Sequence, residues 1–306
     1  MAIGVASPPA RKAGAATTTA PRRRISRRRG LIAWVFMLPL LSVNVLVILG
    51  PAVISVYYSF TNWSGLGPAK WVGLSNYKQL LSDPDFRNGL VHNLYWTLIF
   101  LTVPMAMGLF GAYLLSRVRR YETLFRTLFF VPYIVATVVS SAIWSNLLSP
   151  DTGIGKVLGI NFLGNPEYAL TSVAAINIWT WWGFVLVIFF SAMRSVDTTL
   201  YEAASLDGAS PLRQYFHVTL PAIRPTVMFI SLMTIVWSFL VFDYIFILTK
   251  GGPAGSTDVL STVLYRDAFS NQEAGYAAAI GIVISLISCA VVGTYMYIRH
   301  RRQWEI

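Results

Sequence analysis

Long apolar segments separated by shorter polar ones dominate the chain. Six segments are almost continuously apolar, rather than apolar on one face, over about the 20 residues that a helix needs to cross a bilayer. They cover residues 31–59, 90–115, 125–148, 169–192, 224–248 and 276–298. The pattern predicts an all-α integral membrane protein with six transmembrane helices.

Composition supports a membrane protein and removes several kinds of chemistry. Of the 306 residues, 55% are hydrophobic and only 12% are charged, against about 25% charged residues in soluble domains. The single cysteine, Cys289, excludes a disulfide within the chain and a cysteine-based metal site. His92, His217 and His300 are scattered along the chain. We therefore predict no metal site and no catalytic residue.

The basic residues predict the orientation of the chain. The net charge of +11 is concentrated where apolar segments end, which is typical of membrane topology and not of a nucleic-acid surface. With the N-terminus inside, 18 of the 24 lysines and arginines fall in inner segments. We predict a multi-pass protein of the cytoplasmic membrane with both termini in the cytoplasm.

Two regions follow from the same pattern. Residues 1–29 are rich in alanine, threonine, proline and arginine and lack apolar periodicity. We predict a disordered cytoplasmic tail whose basic end lies near anionic headgroups. Residues 30–306 are predicted to form one membrane domain, with short amphipathic stretches in the outer loops near Asn76–Leu81 and Val259–Phe269.

A polar stretch at about 197–221, between the fourth and fifth predicted spans, reads as two short helices. Thr198 or Thr199 can N-cap the first helix, which places Glu202 at about the capping-box position. Gly208 is expected to end that helix. The stretch could also be a capped linker without a partner.

The second short helix has its own start and stop signals. Ser210 can N-cap it, and Pro211 then occupies the first helical position, where a missing N–H costs nothing. Leu220 and Pro221 are expected to end the element before the fifth span begins.

The stretch resembles the EAA loop of ABC-importer permeases. The matching residues are Glu202-Ala203-Ala204, Asp207-Gly208-Ala209 and Leu220-Pro221. Further motifs look like the carbohydrate branch of that family, which includes permeases for maltose, other oligosaccharides and glycerol-3-phosphate. These motifs are Ser59–Trp63, Val72–Tyr77, Phe125–Pro132 and Leu248–Pro253.

The resemblance implies a type I importer with the MetI-like permease fold, in a bacterium or an archaeon. This chain would pair with a second permease as a heterodimer. An ATPase dimer would grip the EAA residues, and an extracytoplasmic solute-binding protein would deliver the carbohydrate. ATP and Mg would bind to the ATPase subunits, and this chain would bind no cofactor. The chain also lacks a GxxxxGK[ST] motif.

Two predicted spans carry polar and aromatic residues on one face, as a sugar pathway requires. On the fourth span these include Asn177, Trp181 and Phe184, and on the fifth Thr234, Trp237 and Ser238. In the maltose relative the corresponding positions contribute to a sugar site at mid-membrane. Equally, the polar groups could bond neighbouring helices.

Asp243 is the one acid inside a predicted span. Such residues usually face protein or water. Asp243 lies five residues beyond Ser238 and nine beyond Thr234, which places it nearly opposite the proposed pathway face. This favours a structural or gating role over direct contact with substrate.

Two other functions remain open from the sequence. An autonomous secondary transporter of a small polar solute is the main alternative, although such proteins commonly contain internal repeats and several intramembrane charges. A membrane-embedded enzyme would need clustered histidine, aspartate or glutamate residues at membrane depth.

Overall fold

The structure, a computed structural model, describes residues 27–118 and 120–301. Over these residues it is helical and contains no β-strand, which confirms the all-α prediction. The predicted tail, residues 1–29, lies outside the described residues as far as residue 26, and the first helix begins at Arg27. The described chain divides into two units between Ala52 and Val53.

Fifteen α-helices and three π-helical turns make up the described residues. The α-helices before the polar element are α1 (Arg27–Asn44), α2 (Gly50–Tyr58), α3 (Ser75–Ser82), α4 (Pro84–Ser116), α5 (Glu122–Ile134), α6 (Thr137–Leu148), α7 (Gly153–Leu158) and α8 (Ala169–Arg194). Those that follow are α9 (Thr198–Leu206), α10 (Pro211–Gln214), α11 (Leu220–Ala222), α12 (Arg224–Leu240), α13 (Asp243–Leu248), α14 (Leu260–Tyr265) and α15 (Ala274–Arg301). The π-helical turns are Val45–Leu49, Tyr215–Thr219 and Arg266–Ser270.

Five helical stretches in the described chain are long and apolar enough to cross a membrane. They are Trp34–Tyr58, Pro84–Ser116, Ala169–Arg194, Arg224–Leu248 and Ala274–Arg301. The third predicted span, residues 125–148, is instead bent by 91° where α5 meets the helical segment that follows it. Val135 is extended at this bend (φ −66°, ψ 128°), three residues after Pro132. Six spans result if the bent pair is one crossing.

The fifth predicted span is also interrupted. α12 ends at Leu240, Val241 is extended (φ −59°, ψ 127°), and α13 begins at Asp243. The carbonyl of Ser238 accepts a hydrogen bond of 2.7 Å from Asn93 Nδ2, and that of Val241 accepts one from Ser261 Oγ. Irregular backbone at membrane depth requires such partners, because lipid offers none.

The centre of the second unit is the contact between α4 and α8. Glycines on α4 permit close approach: a Cβ on Gly108 would lie 2.6 Å from Val185 Cγ1, and one on Gly111 2.5 Å from Leu186 Cδ1. A second apolar cluster joins the start of α4 to α3, α14 and α15. The amphipathic stretches predicted in the outer loops are thus helical and packed, as α3 and α14 with its following π-turn.

Candidate functional site

The polar stretch at 197–221 folds as two short helices, as predicted, but its first helix starts earlier. The carboxylate of Asp197 caps α9 by accepting a 2.9 Å hydrogen bond from Thr199 N, and this bond lowers the pKa of Asp197. The caps predicted at Thr198 and Thr199 were wrong, because both residues lie inside the first turn. Glu202 is therefore not at the capping-box position.

The break between the two helices follows the sequence signals. Gly208 has a φ of +73°, a left-handed conformation that glycine adopts without strain, and Ala209 N donates to Ala204 O over 2.9 Å. Ser210 Oγ then accepts a 3.4 Å hydrogen bond from Arg213 N at the start of α10. The predictions that Gly208 ends the first helix and that Ser210 caps the second are confirmed.

The second helix does not end where it was expected to. Leu220 and Pro221 lie inside a helical path that runs from Pro211 through the π-turn Tyr215–Thr219 to Ala222. Proline has no N–H to donate to the residue four positions earlier. The wider turn before it shifts the bonding pattern, so that Leu220 N donates to Tyr215 O. The chain turns only at Ile223, before α12.

We call residues 197–222 the α9–α10 element. Its two helices are joined by Gln214 Nε2, which donates to Ser205 Oγ (3.0 Å) and to Ala209 O (3.1 Å). The hydroxyls of Tyr201 and Thr219 lie 2.9 Å apart. These few bonds hold the two helices together.

The remaining surface of the element is open. Its exposed residues include the EAA-loop residues Glu202, Ala203, Asp207, Gly208 and Pro221, while Ala204, Ala209 and Leu220 are half-buried. Leu206 is 90% exposed and Leu212 59% exposed. A Cβ placed on Gly208 would meet no atom within 4 Å. The element therefore presents small, acidic and apolar side chains to its surroundings.

Five of the six predicted pathway residues line one cavity of about 240 Å³. The structure brings Asn177 and Trp181 of α8 together there with Thr234, Trp237 and Ser238 of α12. The rings of Trp181 and Trp237 meet edge to face, with centroids 4.5 Å apart. Phe184, the sixth residue of the predicted set, is not in the lining and instead packs on Trp181, at 5.0 Å, and on Tyr133, at 4.8 Å.

Two polar atoms in this cavity wall lack partners. Trp181 Nε1 and Thr234 Oγ1 are buried, and neither has a hydrogen-bond partner among the described residues. Ser238 Oγ, by contrast, donates to Thr234 O over 2.7 Å. Buried polar groups are normally hydrogen-bonded. Neither atom has accessible surface, so each gains a partner in the cavity only if its side chain turns toward it.

Asp243 also lines the cavity, so the expectation that it lies nearly opposite was wrong. The helical spacing that predicted this holds only along a continuous helix. Here the extended residue Val241 interrupts the helix and reorients Asp243, which begins α13 and is exposed.

Sequence reasoning missed the lining residues contributed by other helices. Trp96 and Phe100 of α4 stack with centroids 5.1 Å apart, and their spacing of four residues could have placed both on one helix face. Thr137 and Tyr244 gave no such signal. Each follows a helix break that periodicity does not reveal.

A buried polar network at the start of α4, also unforeseen, fixes α14 to that helix. Asn93, fully buried, donates to Ser238 O and accepts from Leu260 N over 2.8 Å. Asp258 accepts from Arg266 over 2.6 Å, and Arg266 also reaches Asp85 over 2.9 Å. We call the set the α4–α14 network; its members are Asp85, His92, Asn93, Asp258, Leu260, Thr262 and Arg266.

The described residues contain no group of three or more histidines, cysteines, aspartates or glutamates placed to hold a metal ion. They do contain a cavity lined by α4, α8 and two interrupted helical segments, and an exposed polar element between two apolar helices. Together with the helical fold, these features define a multi-span membrane permease.

The chain belongs to the family of binding-protein-dependent transport system inner membrane components, whose model matches residues 104–304. Permeases of this family work with a second permease and with ATPase subunits. The probable ABC transporter permease protein YurN of Bacillus subtilis is 33% identical over 273 residues, covering 85% of this chain and 93% of that one. The xylose/arabinose import permease protein XacH of Haloferax volcanii is 30% identical, covering 80% of each chain.

The fold also matches a solved structure. A permease chain of a bacterial ABC transporter that imports the acidic polysaccharide alginate superposes with a TM-score of 0.79, covering 90% of this chain and 96% of that one. The sequence identity is 23%. The match shows a shared fold, in agreement with the predicted MetI-like architecture.

Proposed function

We propose that this chain is the permease subunit of an ATP-driven importer that moves a carbohydrate into the cytoplasm. The main observation in support of this proposal is the cavity between α4, α8 and α12. It combines the aromatic surfaces of Trp181 and Trp237 with the polar side chains of Asn177 and Asp243. Apolar walls with a few placed polar groups are what a small-ligand site requires, and a sugar offers both C–H faces and hydroxyls. The similarity to a xylose/arabinose permease supports a carbohydrate.

The proposed heterodimer would complete the cavity. Its volume of about 240 Å³ lies below the roughly 300–1,000 Å³ typical of ligand pockets. A second permease would supply the facing wall, and an extracytoplasmic binding protein would deliver the sugar.

Hydrolysis of ATP, in this proposal, takes place on a separate ATPase dimer, which also binds ATP and Mg, while this chain binds no cofactor. The exposed α9–α10 element is the surface that the ATPase would grip. Closing of the ATPase dimer would move the element with it and rock the spans, so that the cavity opens outward. Reopening would release the sugar inside. Both termini and the element would lie in the cytoplasm of a bacterium or an archaeon, as the distribution of basic residues favours.

The first test is co-purification from native membranes with an affinity tag at the N-terminus. Gly208→Asp adds a charged side chain to the open surface of the element. We expect the wild type to retain an ATPase and a sister permease, and the variant to lose only the ATPase.

Gly159→Asp is the matched control. Gly159 has a similar φ of +66°, and a Cβ there also meets no atom within 4 Å, but it follows α7, away from the element. The control should keep the ATPase. If Gly208→Asp keeps it as well, the docking surface is wrong. If no ATPase co-purifies and the chain alone moves solute into liposomes, the protein is a secondary transporter.

A further inference from the structure

The cavity has an uneven charge. Among the described residues that line it, Asp243 is the only one with a formal charge, and there is no lysine, arginine or histidine. The rest of the lining is aromatic, aliphatic, amide or hydroxyl. A ligand in this cavity therefore meets an acid and no base on this side.

Asp243 has no partner of its own. Its carboxylate makes no hydrogen bond or ion pair with the described residues, and α13 has no side-chain cap. An acid in the first turn of a helix is favoured by the helix dipole, which explains how the position tolerates it. That local effect does not account for its place in the cavity lining. Ionisable residues within spans normally face protein partners or a solute pathway.

The aromatic walls of the cavity favour the same ligand charge as the carboxylate of Asp243 does. Trp96, Phe100, Trp181 and Trp237 all contribute to the lining. The face of an aromatic ring carries negative charge density, which attracts cations and disfavours anions. Ring faces and carboxylate therefore add to one another.

Two residues of the cavity lining carry a buried polar atom without a hydrogen-bond partner among the described residues. Trp181 Nε1 can only donate a hydrogen bond, and Thr234 Oγ1 can donate or accept one. Both atoms are fully buried, so a sugar hydroxyl group can bond to either of them only after that side chain turns toward the cavity. No anion is needed for this.

We infer that Asp243 selects the carbohydrate by charge: the cavity takes neutral sugars and amino sugars, and repels uronic acids and sugar phosphates. The inference rests on the proposed function, and it assigns Asp243 a role in specificity. The helix break at Val241 is what presents the carboxylate to the passing sugar.

The test measures binding to the purified permease complex in nanodiscs, without the binding protein, so that the specificity of that protein does not enter. Equilibrium dialysis with radiolabelled glucose, glucosamine and glucuronate, and with their disaccharide counterparts, compares three charge forms of one scaffold. We expect the wild type to bind the neutral and amino forms more tightly than the acid.

Asp243→Asn should raise the affinity for the uronic acid relative to the neutral sugar about tenfold, and lower that for the amino sugar to a similar degree. Two unit charges about 6 Å apart at an effective dielectric constant of about 40, between the values for a protein surface and for bulk water, produce a change of this size. Asp243→Glu should keep the wild-type order. Asp151→Asn, which changes the same charge at an exposed site outside the lining, should leave the ratio unchanged.

Two outcomes overturn the inference alone: tighter binding of glucuronate than of glucose by the wild type, or an Asp243→Asn effect no larger than that of Asp151→Asn. A different result overturns the proposed function together with it, namely that no sugar of any charge binds.

Discussion

The α4–α14 network and the α9–α10 element are both rich in polar side chains, but only the first is complete within the chain. Asn93 is fully buried and its side chain makes hydrogen bonds to two other segments, and Asp258 is 4% exposed and accepts from Arg266. In the element, Glu202 and Asp207 are exposed. The network is part of the folded core, whereas the element leaves its polar and apolar groups exposed, at the surface where the proposed ATPase would bind.

The physical reason lies in the cost of burial. A buried polar group without a hydrogen bond is expensive, so the chain itself must supply every partner. Exposed groups carry no such requirement, because water solvates them. An exposed surface can therefore be suited to binding a second protein although no hydrogen bond within the chain indicates this. Substitutions in the network should therefore lower the stability of the fold, whereas substitutions in the element should weaken binding of the proposed ATPase.

The largest loss of folding stability is expected for Asn93→Ala. The change leaves Ser238 O and Leu260 N buried without their partner. At roughly 1–3 kcal/mol for each of the two unsatisfied groups, the free energy of unfolding should fall by about 2–6 kcal/mol. Chemical unfolding of the purified protein measures this.

Asn88→Ala on the same helix is the control, since Asn88 is exposed. It should change the free energy of unfolding by less than about 0.5 kcal/mol. Equal effects of the two variants would show that Asn93 does not hold α4, α12 and α14 together.

Arg266→Gln should have the next largest effect. It removes the cation beside Asp258, whose side chain is 5% exposed, and leaves that acid only its bond to Thr262 Oγ1. Loss of one partner from a fully buried pair costs about 3–5 kcal/mol. The Arg266 side chain is 33% exposed, so we expect about 1–3 kcal/mol after solvent screening.

Asp85→Asn tests the other end of the same ion triad. The Asp85 side chain is 63% exposed, and exposed pairs contribute about 0–1 kcal/mol. A larger loss for Asp85→Asn than for Arg266→Gln would contradict the view that burial of Asp258 governs the cost.

The sequence predicted the helical class, the positions of five of the six spans and both short helices of the α9–α10 element. Apolar runs and signals such as Gly208 and Ser210-Pro211 are local, and local patterns are what periodicity and capping rules read. The α4–α14 network could not be predicted in this way. Asn93 bonds to Leu260, far along the chain, and no spacing rule links such positions.

The cavity was partly predictable, because some of its lining residues share a face of one helix and local periodicity identifies such residues. Asn177 and Trp181 share one helix face, as do Thr234 and Ser238, so periodicity found them. The position of Asp243 depends on the extended residue Val241, whose conformation is supported by Ser261 from a distant helix. A helical spacing rule fails wherever tertiary bonds break the helix.

A smaller and purely local effect is expected at Asp197. Its cap on α9 lowers its pKa, so the cap stabilises the helix above the ordinary aspartate pKa and is lost as the pH falls through the lowered value. Asp197→Ala should speed hydrogen exchange of the first amides of α9 at neutral pH. Asp197→Ser, which keeps a capping oxygen but does not titrate, should retain protection at a pH below the lowered pKa of Asp197, where the wild type loses it. Equal exchange in the alanine and serine variants would contradict the capping role.

Leu206→Ser should have the smallest effect on folding and the clearest effect on assembly. Leu206 is 90% exposed, so its removal breaks no buried contact, and the free energy of unfolding should change by less than about 0.5 kcal/mol. An exposed leucine on the proposed docking surface would become buried when the ATPase binds, where a fully buried leucine contributes about 1.5–3 kcal/mol. Affinity for the ATPase in nanodiscs should therefore fall by at least tenfold.

Leu158→Ser, at a leucine 56% exposed on α7, is the control and should leave both folding and affinity unchanged. Were Leu206→Ser to destabilise the fold and spare the affinity, the two polar regions would not differ in the way their burial indicates.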